Sequence, residues 1–200
     1  MSDRETLDFY DRAAVDYADR FHARGKPDGD LRAFMAALPD GGEVLDLGCG
    51  PGRSSALLKD AGFRVDAMDA SEGMIRTAAE RYGVTARMGT FADLDETDRY
   101  DGIWANFSLL HAPRAEFPGH LSRIARALKP GGVFHLGLKL GSGEQRDKLG
   151  RCYTYYTQDD LARHLADAGL AVFSTRTFTS KGMAGTDDPG TCILSRKAPA

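Results

Sequence analysis

The chain has 200 residues, 42% of them hydrophobic and 28% charged, with a formal net charge of −3. That length suits one domain able to bury most of its apolar surface, and that balance excludes a disordered chain. No basic domain or stripe is present to grip nucleic acid, and the longest apolar runs are strand-sized rather than the ~20 residues a membrane span needs. The N-terminal Met1-Ser2-Asp3-Arg4-Glu5 is charged and leads into no apolar signal segment. Three widely spaced cysteines, Cys49, Cys152 and Cys192, argue against a disulfide framework and for a reducing, cytoplasmic setting. No Cys/His spacing suggests a metal site.

Phe9, Ala13, Tyr17 and Phe21 recur every four residues, which predicts an amphipathic helix near residues 5–24. Gly25 to Gly29 breaks it, and a second helix is expected from Asp30 to Leu38. Val44-Leu45-Asp46-Leu47 then reads as a short buried strand, followed by the tight turn Gly48-Cys49-Gly50-Pro51-Gly52. A helix from Arg53 to Ala61, a strand from Phe63 to Asp69 and a helix from Ser71 to Tyr82 follow. Further strands are expected at Val84–Met88, Tyr100–Asn106 and Val133–Leu138, with a helix carrying Leu121, Ile124, Ala125 and Leu128 on one face. Lys129-Pro130-Gly131-Gly132 is a type II turn signal, because Pro presets the first central angle and Gly takes the positive one. Thr157 and Asp160 have capping-box spacing and open a helix ending at Gly169. Strands at Leu170–Phe178 and Thr191–Ser195 close the chain around a Gly/Asp/Pro loop. The alternation from residue 43 to 138 implies a parallel sheet, whose ligands sit beyond the carboxyl ends of its strands.

Two motifs at those ends carry chemistry. Glycine in the turn after the first strand lets the backbone approach a ligand that a Cβ would block. Asp69, at the end of the second strand, can accept both hydroxyls of a ribose, or it can simply cap the next helix. Taken together, these residues resemble the class I S-adenosylmethionine-dependent methyltransferases over nearly the whole chain. The matching positions are Asp46 before the first glycine, Asp69, Tyr100-Asp101 opening the fourth strand, and Leu128 to Gly132 before the fifth. The resemblance implies a Rossmann-like α/β fold: a seven-stranded, mostly parallel sheet with an antiparallel last strand and helices on both faces. It implies S-adenosylmethionine as cofactor and one domain over residues 1–200. Residues 1–40 would form a helical lid, 43–138 the cofactor-binding core and 139–156 a substrate loop. A nicotinamide dinucleotide fits less well. Its fingerprint is G-x-G-x-x-G, whereas the third glycine here comes one residue early, and Asp46 would sit beside a pyrophosphate.

By the same resemblance, cofactor contacts are expected from Tyr17, Asp46, Gly48, Cys49, Gly50, Gly52, Arg53, Asp69, Ala70, Met74, Thr90, Phe91, Asn106 and Phe107. The loop after the third strand, Gly89-Thr90-Phe91-Ala92-Asp93, has threonine where an acid is usual, which leaves Asp93 as a second candidate for the adenine amine. Asn106 to Pro113 lacks the N-P-P-Y signature of enzymes that methylate a base amine. His111 in that loop suits a general base, or caps the next helix. Tyr10 and Tyr17 share one helix face, as a lid or as plain core. Tyr10, with Arg146, Arg151 and Tyr153 after the fifth strand, makes a candidate acceptor site for an anionic or aromatic molecule, the alternative being a solvated charged loop. The expected activity is methyl transfer to a small-molecule acceptor by a monomer or weak homodimer, without metal, nucleic acid or membrane. The alternatives are a cofactor-binding protein without transfer, or a methyltransferase acting on protein or nucleic acid with a partner.

Overall fold

A computed structural model describes residues 3–21, 25–181, 185 and 187–199. The elements in order are α1 (Arg4–Phe21), α2 (Gly29–Ala36), β1 (Glu43–Leu47), α3 (Arg53–Asp60), β2 (Arg64–Asp69), α4 (Glu72–Tyr82), β3 (Arg87–Met88), β4 (Tyr100–Asn106), α5 (Phe117–Ala127), β5 (Leu128–Lys139), β6 (Glu144–Arg146), β7 (Cys152–Thr154), α6 (Gln158–Asp167), β8 (Leu170–Lys181) and β9 (Asp187–Lys197). Among the described residues, seven strands form one sheet in the order β3-β2-β1-β4-β5-β9-β8. Pairing is parallel from β3 through β5, and β9 runs antiparallel to both neighbours. Residues 22–24, the end of the helix expected over 5–24, lie outside the described residues.

Central strands need apolar side chains on both faces, and Val44 to Leu47 are all buried. On one face α5 and α6 pack Phe117, Leu121, Ile124, Leu161 and Leu165 against Ile103, Phe134 and Leu136. On the other, Leu31 and Phe34 of α2 cover Val44, Trp104 and Val133. The order reverses between β1 and β4, so a crevice opens beyond their carboxyl ends. Ser108 bridges it by donating to the Leu47 carbonyl at 2.7 Å.

Four local features depart from the sequence expectation. The third strand shrinks to Arg87–Met88, because Val84 is used to close α4, its N–H bonding the Ala78 carbonyl after Gly83 turns at φ 64°. The Lys129–Gly132 turn lies inside β5: Leu128 pairs with Tyr100 and Val133 with Gly102, so the four residues loop out opposite Asp101. Lys129 ties that bulge to Asp101 at 2.8 Å. The segment expected as a loop over 139–156 contains the hairpin β6–β7. The last two strands run further than expected into the Gly/Asp/Pro stretch, because Gly190 lies opposite Phe178 and leaves room for its ring.

Candidate functional site

A cleft opens at the switch point, roofed by α1. Its cofactor-like end is built by two loops. Gly48 has φ 73° and Gly50 φ 54°, conformations that glycine adopts without strain. A Cβ on Gly48 would collide with the Ser108 side chain, while one on Gly50 would stand in open space. Gly48 is therefore needed for closure of β1 on the β4 loop, and Gly50 keeps the cleft floor bare.

Two carboxylates flank that turn. Asp46 is 2% exposed, and the Ser55 hydroxyl donates to it at 2.6 Å. Burial, reinforced by Asp69 nearby, pushes its carboxyl up to about 7. Asp69 accepts from the backbone N–H of Gly50 at 2.7 Å and of Ser71 at 2.9 Å. Burial raises its carboxyl too, against those hydrogen bonds. The N-cap of α4 is Ser71, whose hydroxyl accepts from Met74 N–H, so Asp69 is not the helix cap. Among the described residues, no lysine or arginine lies within ion-pairing distance of either carboxylate or along the cleft wall.

The opposite end carries a hydrogen-bonded pair. His111 Nδ1 lies 2.7 Å from the Cys152 carbonyl, which can only accept, so Nδ1 holds the ring proton. Nε2 is then the acceptor for the Tyr10 hydroxyl at 2.9 Å. Burial holds the imidazole down to about 4. The Tyr10 oxygen also receives Arg151 at 3.3 Å, and Arg151 is held by Asp147 at 2.7 Å.

Of the residues singled out in the sequence, Tyr10, Tyr17, Asp46, Gly48, Cys49, Gly50, Asp69, Ala70, Met74, Thr90, Phe91, Asn106, Phe107 and His111 line this cleft. Five do not. Gly52 is the N-cap of α3 and sits where a Cβ would meet Ala78 at 2.8 Å, so it serves packing between α3 and α4. Arg53 turns away to the Lys26 carbonyl and Asp28. Arg146 is half exposed and spent on Asp3, just before α1, and on Glu5 of α1. Arg151 and Tyr153 are buried behind the cleft wall, Arg151 against the Tyr10 hydroxyl and Tyr153 against the His111 ring. The expectation that Arg146 and Arg151 hold an anion is corrected accordingly: each guanidinium already has a carboxylate. Asp93 is likewise engaged, its side chain closing a capping box on Thr90.

Sequence reasoning missed several lining residues, among them Asp3, Thr6, Ser108, Glu116 and His120. His120 interrupts the apolar face of α5 at a buried position, a signal that was available in the periodicity. Asp3 and Glu116 gave no local signal. Phe107 holds φ 57°, an uncommon conformation for a bulky residue, fixed by its N–H on the Gly137 carbonyl at 2.9 Å and its ring against Phe178.

Comparison with known proteins adds a likeness over part of the chain. Residues 44–132 match the methyltransferase domain family model. The cypemycin N-terminal methyltransferase of a Streptomyces species is 37% identical over 134 residues, 64% of this chain and 55% of that protein. The trans-aconitate 2-methyltransferase of Variovorax paradoxus is 34% identical over 134 residues, 64% of this chain and 50% of that protein. The Burkholderia thailandensis 1,6-didemethyltoxoflavin-N1-methyltransferase, solved with its acceptor and S-adenosylhomocysteine, superposes over 97% of this chain and 88% of its own. That match has a TM-score of 0.79 at 24% identity and establishes the fold. Residues 44–132 are thus similar to a methyltransferase domain, on a fold shared with a solved methyltransferase. The chain spans about half the length of the curated relatives it matches, 55% and 50% for the two above. No helix among its described residues is long and apolar enough to cross a membrane, and no three His, Cys, Asp or Glu among them cluster to hold a metal ion.

Proposed function

We propose that the protein transfers the methyl group of S-adenosylmethionine to a small-molecule acceptor by direct in-line displacement. The observation that carries this is the pair of cation-free carboxylates, the buried Asp46 and the half-buried Asp69, on either side of the bare Gly48–Gly50 turn. Buried acids need donors or positive charge from a ligand. A molecule with ribose hydroxyls, an ammonium and a sulfonium supplies all of these, whereas a pyrophosphate would be repelled. Asp69 would take the ribose hydroxyls, Asp46 the ammonium end directly or through water, and Thr90, Phe91, Ala70 and Met74 the adenine. When bound, the cofactor supplies a methyl group already activated by the sulfonium. The chain's residues then need only orient the acceptor and exclude water. Helix α1 does the excluding, with Tyr10 and Tyr17 facing inward, and the domain works as a lid over residues 4–21 and a core over 43–138.

Calorimetric titration of the folded protein with S-adenosylhomocysteine and with NAD tests this. The expected result is saturable binding of the first and none of the second. Tight NAD binding without S-adenosylhomocysteine binding would overturn it.

A further inference from the structure

The amino-acid end of the cofactor brings a carboxylate as well as an ammonium, and no lysine or arginine among the described residues lines the cleft to meet it. Arg53, at the start of α3, is turned away to the Lys26 carbonyl and Asp28. A neutral donor stands on that side instead. Asp46 and Trp104 are register partners on β1 and β4, so their side chains share one face of the sheet. Asn106, two residues on, shares that face and lines the cleft where the bare glycine turn begins. Resting on the methyl-transfer reading above, we propose that the Asn106 amide N–H2 holds the cofactor's carboxylate, and that His135 is the residue that positions it.

His135 does not line the cleft. It is the register partner of Trp104 on β5 and is buried behind it, its ring lying on the indole at 3.6 Å with a tilt of 14°. Its Nε2 lies 3.0 Å from Asn106 Oδ1, and its Nδ1 has no partner. Burial keeps the imidazole neutral, so one nitrogen carries the proton. An orphaned buried N–H is rarer than an unmatched acceptor, which puts the proton on Nε2 and makes Asn106 Oδ1 the acceptor. Gly137, opposite Asn106 on β5, completes the seat, since a Cβ there would meet Oδ1 at 2.5 Å. With Oδ1 committed to His135, the N–H2 is the end of the side chain left for the cleft. Asn106 makes no other hydrogen bond among the described residues. An amide N–H2 can donate and cannot accept, so it suits an oxyanion and offers nothing to an ammonium, which falls to Asp46 on the same face. Tyr10 and His111 stand at the other end of the cleft, the latter packed on Cys152 and Tyr153, so an acceptor bound there does not compete for Asn106.

The test is calorimetry with two ligands, S-adenosylhomocysteine and its decarboxylated form, 5′-(3-aminopropylthio)-5′-deoxyadenosine, which keeps adenine, ribose and ammonium. Asn106→Asp keeps the oxygen that His135 bonds and replaces the N–H2 by a second carboxylate oxygen. It should raise the dissociation constant of S-adenosylhomocysteine about tenfold or more, while the decarboxylated ligand binds as well as before or tighter. Asn106→Ala, which adds no charge, should show the same split at about threefold or more. His135→Phe keeps a flat ring under Trp104 and removes the donor, and it should weaken S-adenosylhomocysteine alone by about threefold. Binding of the decarboxylated ligand is the control for folding, because a general loosening weakens both ligands alike. Equal loss of both ligands in the Asn106 variants, or S-adenosylhomocysteine bound as by the native protein, would overturn the role of Asn106. Equal effects on both in His135→Phe would overturn the positioning role. Failure of native folded protein to bind S-adenosylhomocysteine would remove the methyl-transfer reading itself, and this inference with it.

Discussion

Asp46 and Asp69 illustrate how much a single side chain's surroundings decide. Both carboxyls are raised by burial, yet their partners differ: one hydroxyl for Asp46, two backbone N–H groups for Asp69. Asp69→Ala should weaken S-adenosylhomocysteine binding by about tenfold or more, since hydrogen bonds to a charged group contribute roughly 1.5–3 kcal/mol each. Folding should survive, because Ser71 and not Asp69 caps α4. An unchanged dissociation constant measured by calorimetry would return Asp69 to a turn-stabilising role. Asp46 makes a different prediction, in pH. Its carboxyl sits at about 7 in the free protein. Pairing with the ligand's ammonium lowers that value, so binding releases a proton. Cofactor affinity should therefore rise with pH up to about 7 and level off above it, with proton release visible as a buffer-dependent binding enthalpy. Asp46→Asn should abolish the slope.

At the scale of elements, the least obvious joint is between α1 and α4. Asp11 of α1 accepts from the Ser71 hydroxyl at 2.6 Å and the Gly73 N–H at 3.0 Å, two groups at the start of α4. The helices approach so closely that any Cβ on Gly73 would strike the Asp11 backbone. Helix α1 is thus latched to the loop that carries Asp69 and Ala70. Asp11→Ala should speed amide exchange in α1 by about tenfold or more, the scale of losing one such charged hydrogen bond, while the sheet keeps its protection. Uniform loss of protection across β1 and β4 would show that α1 is part of the core instead. None of this was legible in the sequence, where Asp11 is one of many charges on an exposed-looking helix face. What was legible was punctuation: Gly48 to Gly52 after an apolar strand, Gly131 at a positive φ after Pro130, and the Thr157/Asp160 box. Each of these is a local rule with a local cause. The partners of Arg146 and Arg151 were not legible, because Asp3 pairs with Arg146 across 143 positions and Asp147 claims Arg151 within a hairpin that no periodicity announced. An arginine's role depends on whether its charge is already matched, and matching is a long-range fact.

At the scale of the whole fold, three histidines among the described residues have a lowered pKa: His111, His120 and His135, burial being the largest cause for each. His135 shows the effect most cleanly because it lies away from the cleft wall, stacked on Trp104 at 3.6 Å under α2. Its Nε2 donates to the Asn106 side chain at 3.0 Å, its Nδ1 has no partner, and burial holds it down to about 3. The unfolded chain binds a proton at this residue near 6.5, the folded chain only near 3. Between those values the unfolded state holds more protons, so stability rises with pH across that window and is lost as pH falls through it. The slope from one such residue is at most about 1.4 kcal/mol per pH unit. Asp46 acts in the opposite sense, since its raised value costs stability as pH climbs from about 4 to about 7, so the net slope of the native protein cannot isolate either. The difference between variants can. Urea midpoints for native protein and His135→Gln, measured at pH 5.0, 5.5, 6.0 and 6.5, should diverge in slope. The variant should be less stable at pH 6.5 if the Asn106 bond is lost, yet lose about 1 kcal/mol less per pH unit on acidification. Parallel slopes would mean that His135 titrates in the folded protein as it does in the unfolded chain, and that the stack on Trp104 is open to water.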